Sequence, residues 1–148
     1  MASTTYNITP GRYERQLPVA TKAHFKSSAN STNATSVKAS AGTVFNMIIH
    51  NTHGGSGSGS SITIRFYDKA TAPTVGTDVP IIIIHVGSGT SKEVNFTSGI
   101  TFTNGIAYAL TAGDSLLDAT AVDADGVQVY IGYMWWLKLL LQESSLLL

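Results

Sequence analysis

The chain has 148 residues, no cysteine, 12% charged residues and a formal net charge of zero, while 43% of its residues are hydrophobic. That length suits one domain with arms and a real core. The missing cysteines exclude disulfide and thiolate chemistry, the apolar share excludes a disordered chain, and the sparse charge argues against a nucleic-acid partner.

Residues 1–35 show no clear period and read as an N-terminal arm. Residues 1–40 carry Arg12, Arg15, Lys22, Lys26 and Lys38 against Glu14, a balance of +4, whereas residues 41–148 carry −4. A weakly basic arm seeks an acidic surface on a neighbouring copy or a scaffold, with Arg12 and Arg15 as candidate contacts. The plain alternative is a solvated leader. "SSANSTNATS" (27–36) is low in complexity and reads as loop.

From Val37 onward, turn signals recur about every ten residues, the spacing of a sandwich or barrel. "TVFNMIIHNT" (43–52) is rich in β-branched and aromatic residues. "SSITIRFYDKA" (60–70) alternates, with Ile62, Ile64 and Phe66 on one face and Thr63, Arg65 and Tyr67 on the other. "VPIIIIHV" (79–86) is apolar on both faces and predicts a central strand covered on both sides. "KEVNFT", "ITFTN" and "IAYALTA" predict short strands. "GVQVYIGYMWW" (126–136) predicts the last one, with Val127, Val129, Ile131 and Tyr133 on one face, after a hairpin signal at Asp125-Gly126. The expected fold is therefore all-β: an antiparallel β-sandwich, jelly-roll-like, over residues 36–134.

Residues 135–148, "WWLKLLLQESSLLL", form an apolar C-terminal extension. Trp135, Trp136, Leu137, Leu139, Leu140 and Leu141 are its candidate contacts. Nine large apolar side chains, even half buried, offer on the order of 10 kcal/mol before ordering costs. The run Ile131–Leu141 is broken by Gly132 and Lys138 and is shorter than the roughly twenty residues of a membrane span, so no membrane partner is expected. The tail is expected to lie on a neighbouring subunit, with packing on its own sandwich as the alternative.

No catalytic residue, cofactor or metal site is expected. His50 and His53 are the one close histidine pair, and three residues apart on a strand they point to opposite faces. His85 lies in an apolar run and reads as a core or interface residue. "DADG" (123–126) starts like a calcium loop but lacks the distal Glu and the following helix. "GSGTSK" (87–92) lacks the ending of a phosphate loop. Tyr67 and Tyr108 are possible sugar platforms, though such residues more often pack.

"SVKASAGTVFNMIIHNT" (36–52), "ITIRFYDKATAPTVGTDVPIIIIHV" (62–86), "VNFTSGITFTNGIAYALTAG" (94–113) and "DATAVDADGVQVYIGYM" (118–134), taken in that order, resemble a group of small virion proteins of tailed bacteriophages. The "YDKATAPTVGTD" segment is the most distinctive part. The resemblance implies a β-sandwich structural protein of the particle, with head decoration or cement proteins, commonly trimers, and tail or fibre proteins both open. The expectation is a non-enzymatic capsid decoration or cement protein, a homo-oligomer (a trimer) with the major capsid protein as partner. It would sit on the capsid surface after assembly in the host cytoplasm. The rival is a tail-fibre or carbohydrate-binding sandwich that recognises host glycans.

Overall fold

The computed structural model describes residues 20–53 and 61–135. These form eight strands and no helix: β1 (Lys22–Ser27), β2 (Thr35–Lys38), β3 (Gly42–Asn51), β4 (Ile62–Asp68), β5 (Ile82–Val86), β6 (Ser91–Phe102), β7 (Ile106–Thr111) and β8 (Val127–Trp135). The two-residue period places them. In β8, Val127, Val129 and Ile131 are buried while Gln128 and Tyr130 between them face out.

The antiparallel pairs β1–β8, β2–β7, β3–β6 and β4–β5 nest, so that paired numbers add to nine. The chain is one long hairpin, turned between β4 and β5, whose double ribbon is rolled up. Rolling brings β3 beside β8 and β4 beside β7. Two four-stranded sheets result, β1-β8-β3-β6 and β2-β7-β4-β5, the arrangement of a jelly-roll sandwich. Between them pack Val44, Met47 and Ile49 of β3, Ile62, Ile64 and Phe66 of β4, and Ile106, Tyr108 and Leu110 of β7, with Phe102. The Phe66 ring sits 6.4 Å from Phe102 and 6.1 Å from Tyr108, centroid to centroid. At about 1.5–3 kcal/mol per large apolar side chain, this layer is what holds the sheets together.

The fold departs from the sequence expectations in three places. Strand β1 lies inside residues 1–35 and runs along β8 from Lys22↔Tyr133 to Ser27↔Gln128, so part of the expected arm belongs to a sheet. Strand β5 is not central: among the described residues it ends its sheet and pairs with β4 only. "KEVNFT" and "ITFTN" are halves of one strand, β6, which continues through Gly99 at φ +73°. There Phe45 of β3 stands opposite the four residues Phe96, Thr97, Ser98 and Gly99, a wide bulge. The low-complexity loop before β2 is fastened by buried Asn33, whose amide donates to the Ala29 and Ser31 carbonyls and whose Oδ1 accepts from the Ala29 N–H.

Candidate interaction surface

The two outer faces of the sandwich are built differently. On the second sheet, β4 turns Thr63, Arg65 and Tyr67 away from the core, yet all three are buried. Residues 112–126 and 69–81, the connections after β7 and β4, roof them over. The Arg65 guanidinium donates to Thr111 Oγ1 and to the carbonyls of Gly113 and Ser115. Tyr67 packs on Ala107, Ala109 and Val75. The two connections touch at Gly76, where a Cβ would lie 3.3 Å from the Leu117 carbonyl. Burial alone would push the Asp118 carboxyl up. Hydrogen bonds from Thr120 and the Gly113 N–H, with the Arg65 charge nearby, outweigh this and hold it below the ordinary carboxylate range. A hydrogen bond from Lys69, with one from the Thr74 N–H, holds Asp78 low as well, at a Lys69–Asp78 distance of 2.5 Å.

The first sheet has no such roof among the described residues. Phe25 of β1 lies opposite Tyr130 of β8, and Tyr130 lies opposite Ile48 of β3. Their exposures are 64%, 36% and 40%, so an apolar row crosses three adjacent strands in solvent and ends at Glu93 of β6. Neighbours across a ladder stand about 4.5–5.5 Å apart, so the row is continuous. Beside it runs a row of shorter groups, Ala23, Gly132, Asn46 and Asn95. The step between the rows is a groove of about 650 Å³, walled by Tyr130 and, at the bulge, by Phe45 and Phe96. Gly132 is required there, because a Cβ would fall 1.8 Å from Asn46 Oδ1. That oxygen is shielded and has no hydrogen-bond partner among the described residues. An exposed apolar row of this kind is a candidate contact surface.

Of the expected contact residues, Trp135 ends β8, is 61% exposed, and has Lys38 Nζ 4.1 Å from its ring centroid. Arg12, Arg15, Trp136, Leu137, Leu139, Leu140 and Leu141 lie outside the described residues. His50 Nδ1 pairs with Ser91 Oγ, whereas His53 Nε2 stands 3.8 Å from Asp123, so the two histidines meet different partners. His85 Nδ1 lies 3.0 Å from Thr63 Oγ1. Tyr67 and Tyr108 are both buried and offer no sugar platform. Burial pushes the Tyr108 hydroxyl up to about 12. His24 Nε2 reaches that hydroxyl at 3.3 Å, and burial, helped by the Lys26 charge, lowers the His24 pKa. Among the described residues no group of three or more His, Asp or Glu side chains could hold a metal ion.

No protein-family profile matches the chain, and no curated protein matches it. Two solved structures of the tobacco streak virus coat protein are similar to it. One is 14% identical, with a TM-score of 0.32 over 75% of this chain and 85% of that one. The other, of the coat protein dimer, is 15% identical, with a TM-score of 0.33 over 87% of this chain and 99% of that one. Overlap this low transfers no role to any residue of this chain.

Sequence reasoning missed Phe25, Tyr130 and Ile48. Each stands at an outward position of its own strand, but the row exists only once strand register is known. Phe25 was further hidden by lying in residues read as arm.

Proposed function

We propose that the chain is a non-enzymatic structural protein of a virion, a decoration or cement protein of a tailed-phage head that binds the shell as a homo-oligomer. The observation that carries this reading is the apolar row Phe25–Tyr130–Ile48 on a sheet face that no described residue roofs over. It is broad and shallow, which suits a protein partner. The sequence resemblance over residues 36–134 points to a structural protein of the particle, and on the head reading the partner is the major capsid protein at the capsid surface. Several such footprints on one oligomer would hold neighbouring capsomers together. Arg12, Arg15 and the leucines after Trp135 are the further contacts of this proposal. A deletion that tests the basic arm must stop before Ala20, since removing residues 1–30 also removes β1.

The test is a particle that carries this chain, imaged by electron microscopy with and without the paired substitution Phe25→Ser and Ile48→Ser. The expected result is density at capsomer junctions that disappears in the variant, while the purified variant stays β-rich. Full occupancy of the variant on the particle overturns the assignment of the face. A second reading, a fibre or carbohydrate-binding module, draws on the groove, where Tyr130 stands beside Asn46, Asn95 and Thr97. Specific binding on a glycan array, lost in Asn95→Ala, would favour it.

A further inference from the structure

The four sheet edges are not equally protected. An edge strand offers unpaired backbone N–H and C=O groups, and proteins commonly blunt such edges with charge, bulges or brevity. Edge strand β1 carries Lys22 and Lys26. Edge strand β2 is four residues long, includes Lys38 and is irregular between Ser36 and Lys38. Edge strand β6 carries Lys92 and Glu93 and the wide bulge opposite Phe45. Edge strand β5 is five residues long, follows Pro80, and pairs regularly with β4 from Ile82 to Val86, while the Ile81 N–H donates to the Phe66 carbonyl one residue out of that register. What sets it apart is the absence of charge. No Lys, Arg, Asp or Glu occurs from Val79 to Val86. Ile81 and Ile83 point outward and are exposed, Ile83 by 39%. On the inner side a cleft of about 320 Å³ opens between the two sheets beside this edge, lined by Ile82, Ile84, Val94 and Phe96, with His85 and with Lys92 of β6.

We propose that β5 is a self-pairing edge, on which the β5 of a second copy adds antiparallel across a two-fold axis at Ile83. Across a two-fold axis only the residue on the axis meets its own copy, and an edge without charge meets no like charge in any register. Among the four described edges β5 alone carries no Lys, Arg, Asp or Glu. The two-fold register sets Ile83 opposite Ile83 on the outer side and Ile82 opposite Ile84 on the inner side. The clefts of both copies then adjoin in one seam of isoleucines, Val94 and Phe96 with Lys92 beside it, and the two β2-β7-β4-β5 sheets join into eight strands. This goes beyond the virion reading, and it is tested on the isolated protein rather than on a particle.

The chain has no cysteine, so Ile83→Cys creates a single reporter thiol. Opposed residues of an antiparallel pair have Cα atoms about 4.5–5.5 Å apart, within disulfide range. Diamide should convert the full-length Ile83→Cys chain to a covalent dimer at a concentration where Leu117→Cys, exposed on a loop, stays largely uncoupled. Sedimentation equilibrium should show a dimer for the parent chain. Ile83→Lys should raise its dissociation constant at least about tenfold with an unchanged β-sheet circular dichroism signal, because two like charges would face each other on the axis. A parent monomer at micromolar concentration overturns the proposal, and so does a trimer in which the Ile83→Cys thiol does not couple. Coupling that disappears when Leu139 and Leu140 are replaced by Ser would hand the edge to the C-terminal segment, and would overturn it too.

Discussion

Strands β4 and β5 are ladder partners, Arg65 facing Ile83 and Ile64 facing Ile84, yet their sequences and surroundings are opposed. The alternating strand β4, with an arginine and a threonine on its outward side, is buried on both faces. Strand β5, apolar except for His85, stands at an edge of the described sheet with isoleucines in water. Alternation in a strand reports which side meets the opposite sheet. It does not report what loops do on the other side, and an apolar run does not fix a strand's place in the sheet order. Polar atoms on β4 can be buried because connecting loops return carbonyls to them.

The sharpest way to break this contrast is Arg65→Ala. It removes a fully buried side chain and its charge-assisted hydrogen bonds to Thr111, Gly113 and Ser115 and leaves a cavity, for a loss of about 4 kcal/mol, although the Gly113 and Ser115 carbonyls keep Thr111 Oγ1 and the Asp118 N–H as donors. In a domain of this size that lowers Tm by roughly 8–16 °C, measurable by calorimetry. Ile64→Ala in the core should cost about 3 kcal/mol in urea unfolding. Ile83→Ala, one ladder position away, should cost the monomer less than about 1 kcal/mol. Equal losses at Ile64 and Ile83 would show that β5 is as enclosed as its partner.

Gly99→Ala sharpens the comparison between edges. Its φ of +73° disfavours a side chain, and a Cβ would fall 2.4 Å from Thr43 Cγ2 and 2.9 Å from Phe45. A loss of about 1–3 kcal/mol is expected, read in the same urea titration, if the bulge is a fixed part of β6.

The smallest effect concerns pH. Burial lowers the His24 pKa from 6.5, so the unfolded chain takes up a proton that the folded chain resists. Stability should therefore fall as pH drops through about 6.5, and His24→Gln should flatten that part of the Tm–pH curve. Nothing from this group should change above about pH 7.5.

The strand content, six of the eight strands and the jelly-roll class were legible from two-residue periodicity and turn spacing; β2, whose first half was read as loop, was missed. The inward residues of β4 and β8 were legible for the same reason. Strand β1 was not: Lys22, Ala23, His24, Phe25, Lys26 and Ser27 lack a β-branched run, and the strand exists because β8 offers it a ladder. The Phe25–Tyr130–Ile48 row was illegible too, because register between segments over a hundred residues apart is a property of the folded ribbon.

The nested pairing has a consequence for synthesis. Among the described residues the sole partner of β1 is β8, so this early strand must wait for the last described one before its backbone is satisfied. At about 5–20 residues per second, the hundred residues between Ser27 and Val127 hold it unpaired for several seconds or more. Lys22 and Lys26 then serve a nascent chain as well as a finished one, keeping a solitary strand in solution until its berth is made.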